Sequence, residues 1–234
     1  GKDSLSMRTK WNEGGDGHQV TAPVSLIITA FASLPTVAGT LTPELARDVD
    51  SVLIAIDLGR GQGRMGGSTL AQTQHQFGGA VPDLDAPELL VNLVNAVNAL
   101  RAQNLVLAYH DKSDGGLWAT ACEMAFASRL GLALNIDMLV TESTGVDDSK
   151  AEMGDAKNWA AQVSGRRHEQ TLRALFNEEL GAVIQVSAAQ RDAVFAILRQ
   201  HGLSAHSHVV GKPSSDGAVS VRSEEHTSEL QSPC

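Results

Sequence analysis

Residues 105–116 read LVLAYHDKSDGG, and the fold turns on how that stretch is read. Leu105, Val106, Leu107, Ala108 and Tyr109 form a short, β-prone apolar run with the length and composition of a buried strand. The run stops abruptly. His110, Asp111, Lys112, Ser113 and Asp114 follow at its carboxyl end, and Gly115 and Gly116 then open a helix. In open α/β sheets, ligands bind at that end of the strands. Ser113 or Asp114 can cap the helix, and the glycines let a ligand approach amides that have no intrahelical partner. A carboxylate and a hydroxyl beside free amides suit a metal-bound phosphate. On local chemistry alone an ordinary cap and turn is the favoured reading.

Working outward, 52–58 reads as a strand and 59–68, GRGQGRMGGS, as a glycine-rich loop feeding a helix over 69–77. Gly61, Gly63 and Gly66 satisfy G-x-G-x-x-G, but Asp83 and Asp85 lie in a loop around Pro82 and not at the end of a second strand. A dinucleotide site is therefore rejected. No Lys-Ser or Lys-Thr ends the loop, so the Walker pattern fails as well. Phosphate contact through backbone amides and tight packing of helix on sheet both stay open. Asp85 and Glu88 resemble a capping box, and Leu89, Leu90, Leu93, Val94, Val97 and Leu100 follow as a core stripe.

After Gly116, the small residues Ala121, Met124, Ala125 and Ser128 share one helix face. Cys122 reads as buried filler. Strands are expected at 132–136 and 182–186, and a helix over 171–180. The region 141–170 lacks a sustained apolar period, although Trp159 and Val163 hint at a short helical piece, and it reads as a surface insertion, a mobile loop. Asn177, Glu178 and Glu179 are read as a solvated helix face, with catalytic carboxylates as the alternative. His206 and His208 share a strand face at a spacing compatible with metal binding, without a third ligand. Towards the amino terminus, 11–17 is turn-rich, 23–34 is a strand candidate, and Thr42 with Pro43 can start a short helix over 44–49. The domain boundary is placed within 35–50.

Composition bounds the partners. A net charge of −9 without basic clusters argues against nucleic acid and anionic membranes. No apolar run approaches about 18 residues and no basic-then-apolar leader is present, so no membrane is expected and cytoplasm is the default. Cys122 and Cys234 offer neither a disulfide framework nor a metal spacing.

Three stretches carry a resemblance: AYHDKSDGGL at 108–117, GKDSLSM at 1–7 and LFNEELGAVIQV at 175–186. They resemble the large, single-chain phosphoribosylformylglycinamidine synthases of purine biosynthesis, in the family's order, from Gly1 to about Val221. The resemblance implies a fragment from the second half of the synthetase region. Its fold would be α/β: a mixed sheet with helices mainly on one face, like the C-terminal domain of the aminoimidazole-ribonucleotide-synthetase-like superfamily. Residues 1–42 would be a remnant of the N-terminal partner domain, 43–221 the C-terminal-like domain with its insertion at about 141–170, and 222–234 a non-native tail. RSEEHTSELQS at 222–232 resembles the translation of a widely used sequencing adapter.

What the resemblance implies for function is a ligase that uses ATP, glutamine-derived ammonia and Mg²⁺ to convert formylglycinamide ribonucleotide. The rest of the parent chain, including a glutaminase domain, would be its partner. By position, Asp111 matches a Mg²⁺ ligand and Ser113 a nucleotide contact, at an auxiliary ADP site whose role is structural. Gly1 matches a nucleotide contact and Ser4 a substrate contact. Lys2 stands where the related loop carries a metal-binding asparagine, which counts against a metal there. The fragment alone is expected to be inactive. Two alternatives stand beside this: a non-catalytic nucleotide-holding module, and an enzyme of the selenophosphate or thiamine-phosphate kinase type.

Overall fold

The computed structural model describes residues 2–4, 7–22, 25–76, 79–142, 156–222 and 232–233. The chain separates into two compact units, 1–40 and 41–234. In the first, β1 (Lys2–Ser4) pairs with β4 (Ser25–Ile27), and β2 (Met7–Glu13) pairs with β3 (Asp16–Ala22). The stretch expected to be merely turn-rich is thus a hairpin. Gly14 and Gly15, both at positive φ, supply its two-residue turn. The strand expected over 23–34 is described only as β4, and residues 28–34 carry no regular structure.

The second unit is built on β5 (Ser51–Asp57), β6 (Ala108–Asp111), β7 (Gly131–Asn135), β8 (Gly181–Ser187), β9 (Ser207–Ser214) and β10 (Ala218–Arg222). With the short β11 (Ser232–Pro233), they form one sheet in the order β11-β10-β7-β9-β5-β8-β6. Among the described strands of this sheet only β7 and β10 run parallel; the other pairs are antiparallel. This is the mixed α/β sheet that the sequence suggests. β5 is buried on both faces, so its near-continuous apolar run reflects a central strand.

The larger helical layer covers one face. There α3 (Gly116–Ser128), α4 (Asp137–Glu142) and α5 (Ala156–Phe176) enclose a core with Leu53, Ala55, Val183 and Leu132. On the other face α2 (Pro87–Ala102) and α6 (Arg191–Gln200) pack over Ile54, Ile56, Ile184 and Val186. The helix after the glycine-rich loop, α1 (Thr69–Thr73), is shorter than expected, with Ser68 capping it through Ala71 N.

Several local expectations give way to tertiary contacts. No helix forms over 44–49. Leu45 N instead donates to Ser128 Oγ (2.6 Å), while Gln185, fully buried, accepts from Ala46 N (2.8 Å) and donates to Ala46 O (3.0 Å). Buried side chains thus satisfy this segment's backbone. Asp85 does not cap α2, whose N-cap is Ala86, and in the stripe Leu90 and Val94 are exposed while Leu93 and Leu100 are core. α3 ends at Arg129 in the left-handed region, and Gly131 belongs to β7. The region read as a mobile loop is helical from Ala156, and that helix ends at Phe176, short of 180. Residues 143–155 lie outside the described residues. Among the described residues no helix is long and apolar enough to cross a membrane.

Candidate functional site

The carboxyl ends of β5 and β6 and the amino end of β8 lie side by side, joined by a buried polar frame. The solvated helix face expected at residues 177–179 is not observed. These residues follow α5, with Asn177 and Glu179 only 5% and 0% exposed. Burial of Glu179 is offset by Arg64, 115 positions away, whose Nε and Nη2 each donate to it at 2.7 Å and whose backbone N donates at 3.0 Å. Arg64 reaches on to Asp85 and to Asp83 O. The bonds to Glu179 and then to Asp85 raise its pKa above the ordinary arginine value, so Arg64 keeps its charge. Gly59 is required at this point: a Cβ there would lie 2.6 Å from Glu179 Cγ and Cδ.

Two further bridges tie the loops together. Lys112 Nζ donates to Asp57 Oδ1 (3.0 Å) and Asn177 Oδ1 (2.8 Å). Glu178 Oε1 accepts from Thr69 N (2.8 Å) and Gly115 N (2.7 Å), pinning the start of α1 to the start of α3. Gly115 is the left-handed N-cap of α3, so neither Ser113 nor Asp114 caps it. Gly116, at φ 70°, lies where a Cβ would be 2.6 Å from Asn177 O.

The glycine-rich loop spends several of its amides internally. Gly59 N and Gly61 N face the Asp57 carboxylate (3.2 and 3.5 Å), Arg64 N goes to Glu179, and Gly66 N goes to Ala80 O (2.7 Å). Close packing is seen at Gly59 and at Gly66, where a Cβ would lie 2.6 Å from Gly79 O.

Asp111 is different in kind. It ends β6 as an exposed residue, and its Oδ1 accepts from Tyr109 Oη at 2.6 Å. Burial first, and Asp111 second, push the Tyr109 pKa well above the ordinary tyrosine value. Ser113 lies half-buried behind it; its Oγ donates to Glu123 (3.1 Å) and its N to Thr120 Oγ1 (3.0 Å). His110 Nε2 pairs with Glu123 at 3.0 Å. Gly1 lies outside the described residues, and Ser4 is placed only as the last residue of β1. Among the described residues no three His, Cys, Asp or Glu side chains come together to hold a metal.

On the α3–α5 face, a cavity of about 340 Å³ opens beside Lys112, floored by Ala55 and Val183 and walled by Leu117, Leu139 and Ala174. Both histidines read from the sequence line it. His206 sits in the turn before β9 and not within the strand, with its Nδ1 2.9 Å from Asp57 O. Cys122 is partly buried against the same core, away from this group. Sequence reasoning missed Arg64, Asp57, Lys112 and the buried state of Glu179, whose partners lie 55 to 115 positions apart.

Residues 48–224 match the AIR synthase related protein, C-terminal domain, and residues 1–33 match the FGAR-AT PurM_N-like domain. Among solved structures, phosphoribosylformylglycinamidine synthase II from Thermotoga maritima is similar at a TM-score of 0.55 and 15% identity, over 82% of this chain and 26% of that one. T. maritima PurL complexed with ATP gives 0.53 and 16%, over 84% and 27%, and the form complexed with FGAR gives 0.54 and 15%, over 83% and 29%. At such identities the likeness shows the fold, and this chain spans about a quarter of the length of those structures. The chain belongs to the AIR synthase related family and carries that family's C-terminal domain over residues 48–224.

Proposed function

We propose that this chain serves a phosphoribosylformylglycinamidine synthase, an ATP- and glutamine-dependent ligase that converts formylglycinamide ribonucleotide to formylglycinamidine ribonucleotide. The observation that carries this reading is the succession of two matched domains in one order, 1–33 and then 48–224. T. maritima PurL, similar in fold, has been solved with ATP, with ADP and with FGAR. In the parent reaction ATP phosphorylates the amide oxygen, ammonia derived from glutamine adds to the activated carbon, and phosphate leaves. The remaining domains of the parent, a glutaminase among them, supply what these residues do not.

Within that enzyme the Asp111 loop holds a nucleotide. Mg²⁺ keeps much of its water and binds through one or two carboxylates plus phosphate oxygens. A single exposed carboxylate fits that demand, so Asp111 holds the ion jointly with the nucleotide. When bound, the ion offsets charge on the phosphates. Tyr109 orients Asp111 and keeps its own proton at neutral pH, so it is a fixed donor and not a proton source. Ser113 reaches the nucleotide by turning its hydroxyl away from Glu123. Gly1 meets nucleotide and Ser4 substrate. By resemblance to the large synthases, we assign this loop the role of holding a nucleotide as structure, with turnover elsewhere in the parent.

The test is product formation by the complete protein supplied with ATP, formylglycinamide ribonucleotide and glutamine or ammonia. Formylglycinamidine ribonucleotide is the expected product, and the 234-residue chain by itself should give none above an enzyme-free control. Phosphorylation of selenide or thiamine phosphate instead would move the protein to the kinase-type relatives.

A further inference from the structure

We infer that the cavity on the α3–α5 face is a ligand site of its own, taking a small organic oxyanion: a carboxylate or phosphate carried on an apolar body. Its volume of about 340 Å³ lies at the small end of the range of binding pockets, roughly 300–1,000 Å³. Floor and walls include the apolar Ala55, Val183, Leu117, Leu139 and Ala174, and the cations Lys112, Arg60 and Arg173 line the cavity beside Asp57, Glu169, His206 and His208.

Charge selects the ligand's sign. Of the two carboxylates lining the cavity, Asp57 is held by Lys112 and by Gly59 N and Gly61 N, and Glu169 takes Arg173 Nε and Nη2 at 3.1 and 2.8 Å. Three cationic side chains thus face two occupied carboxylates, and Arg60 is the cation left over among the described lining residues. Lys112, its side chain only 7% exposed, has three N–H donors, two of which go to Asp57 and Asn177. The third remains for a ligand, and an oxyanion would make a charge-assisted bond with it. A cation would find no open carboxylate among the described lining residues, and a wholly apolar guest would leave that donor buried and unbonded.

The site is separate from the loop proposed to hold nucleotide. Tyr109 packs with the α2 and α6 core and carries Asp111 on its hydroxyl, whereas Lys112 lines the cavity on the opposite face of the sheet. The inference therefore stands whether or not the ligase reading does.

Calorimetric titration of the full 234-residue chain with phenyl phosphate, benzoate, inorganic phosphate and benzamidine tests it. We expect one equivalent of phenyl phosphate or benzoate to bind, the tighter of the two telling phosphate from carboxylate. Inorganic phosphate, lacking the apolar body, should bind at least about tenfold more weakly, and benzamidine, the cationic counterpart, not at all. Arg60→Asn, on an exposed loop position whose φ of 42° suits asparagine, should weaken the anion about fivefold, the scale of an exposed ion pair. Ala174→Phe should fill the cavity and abolish binding. The inference is overturned if benzamidine binds as well as the anions, if Arg60→Asn leaves anion affinity unchanged, or if neither phenyl phosphate nor benzoate binds at about 1 mM.

Discussion

Replacing Arg64 with methionine would strip the Glu179 carboxylate of both side-chain donors and leave it only the backbone N–H of residue 64. Glu179 is 0% exposed, so water cannot take the place of the guanidinium. Removing one partner of a buried pair costs about 3–5 kcal/mol, because the other charge stays desolvated. The lost contact to Asp85 adds little: that carboxylate is 52% exposed, and exposed pairs contribute up to about 1 kcal/mol. The expected loss is therefore about 4 kcal/mol, a large share of a typical 5–15 kcal/mol. Urea unfolding followed by far-ultraviolet circular dichroism measures it. The double variant Arg64→Met with Glu179→Met removes both charges at similar volume and should recover most of the loss. A single-variant loss below about 1 kcal/mol, or a double variant as unstable as the single, would refute the claim that this pair sets the loops.

The other predictions concern single groups. Tyr109 is the chain's only tyrosine, so its phenolate absorbance can be titrated cleanly. It should appear only well above the ordinary range near pH 10, and within that range in urea. Because the folded value is raised, stability from this group is complete below about pH 10 and is lost as pH rises through the folded value. Asp111→Asn should lower the onset yet leave it above the ordinary value, since burial is the larger cause; an unchanged onset contradicts the 2.6 Å contact. Gly116→Ala combines a φ of 70° with a Cβ 2.6 Å from Asn177 O, and should cost more than about 1 kcal/mol in the same urea assay.

What the sequence disclosed follows from how far each signal reaches along the chain. Apolar runs at 52–58, 132–136 and 182–186 are local and emerge as β5, β7 and β8. The end of α5, 171–176, falls in the helix read over 171–180, whereas its first fifteen residues lack an apolar stripe and carry only the hint of Trp159 and Val163. The β2–β3 hairpin was hidden because its strands carry Lys10, Asn12, His18 and Gln19, all exposed, and so show no apolar alternation. Strand β6 begins only at Ala108, leaving Leu105 to Leu107 outside it, and runs on over His110 and Asp111 because Gly181, Ala182 and Val183 supply partners that local composition does not reveal. At the candidate site, Asp111 and Ser113 were legible as polar residues ending an apolar run. Glu179 was not: a buried glutamate has no signature apart from its arginine, and that lies 115 positions away.

The most direct measurement of the proposed role is the nucleotide content and melting temperature of the complete protein with and without Asp111→Ala. A nucleotide retained at 100 times its dissociation constant stabilises a fold by roughly 2.7 kcal/mol. The account predicts that wild-type protein is purified with bound ADP, and that the variant loses the nucleotide and melts earlier. The Michaelis constant of the variant for formylglycinamide ribonucleotide should stay near normal. A variant that keeps its nucleotide and its melting temperature but loses turnover would place Asp111 in the reacting centre and contradict the structural role assigned to this loop.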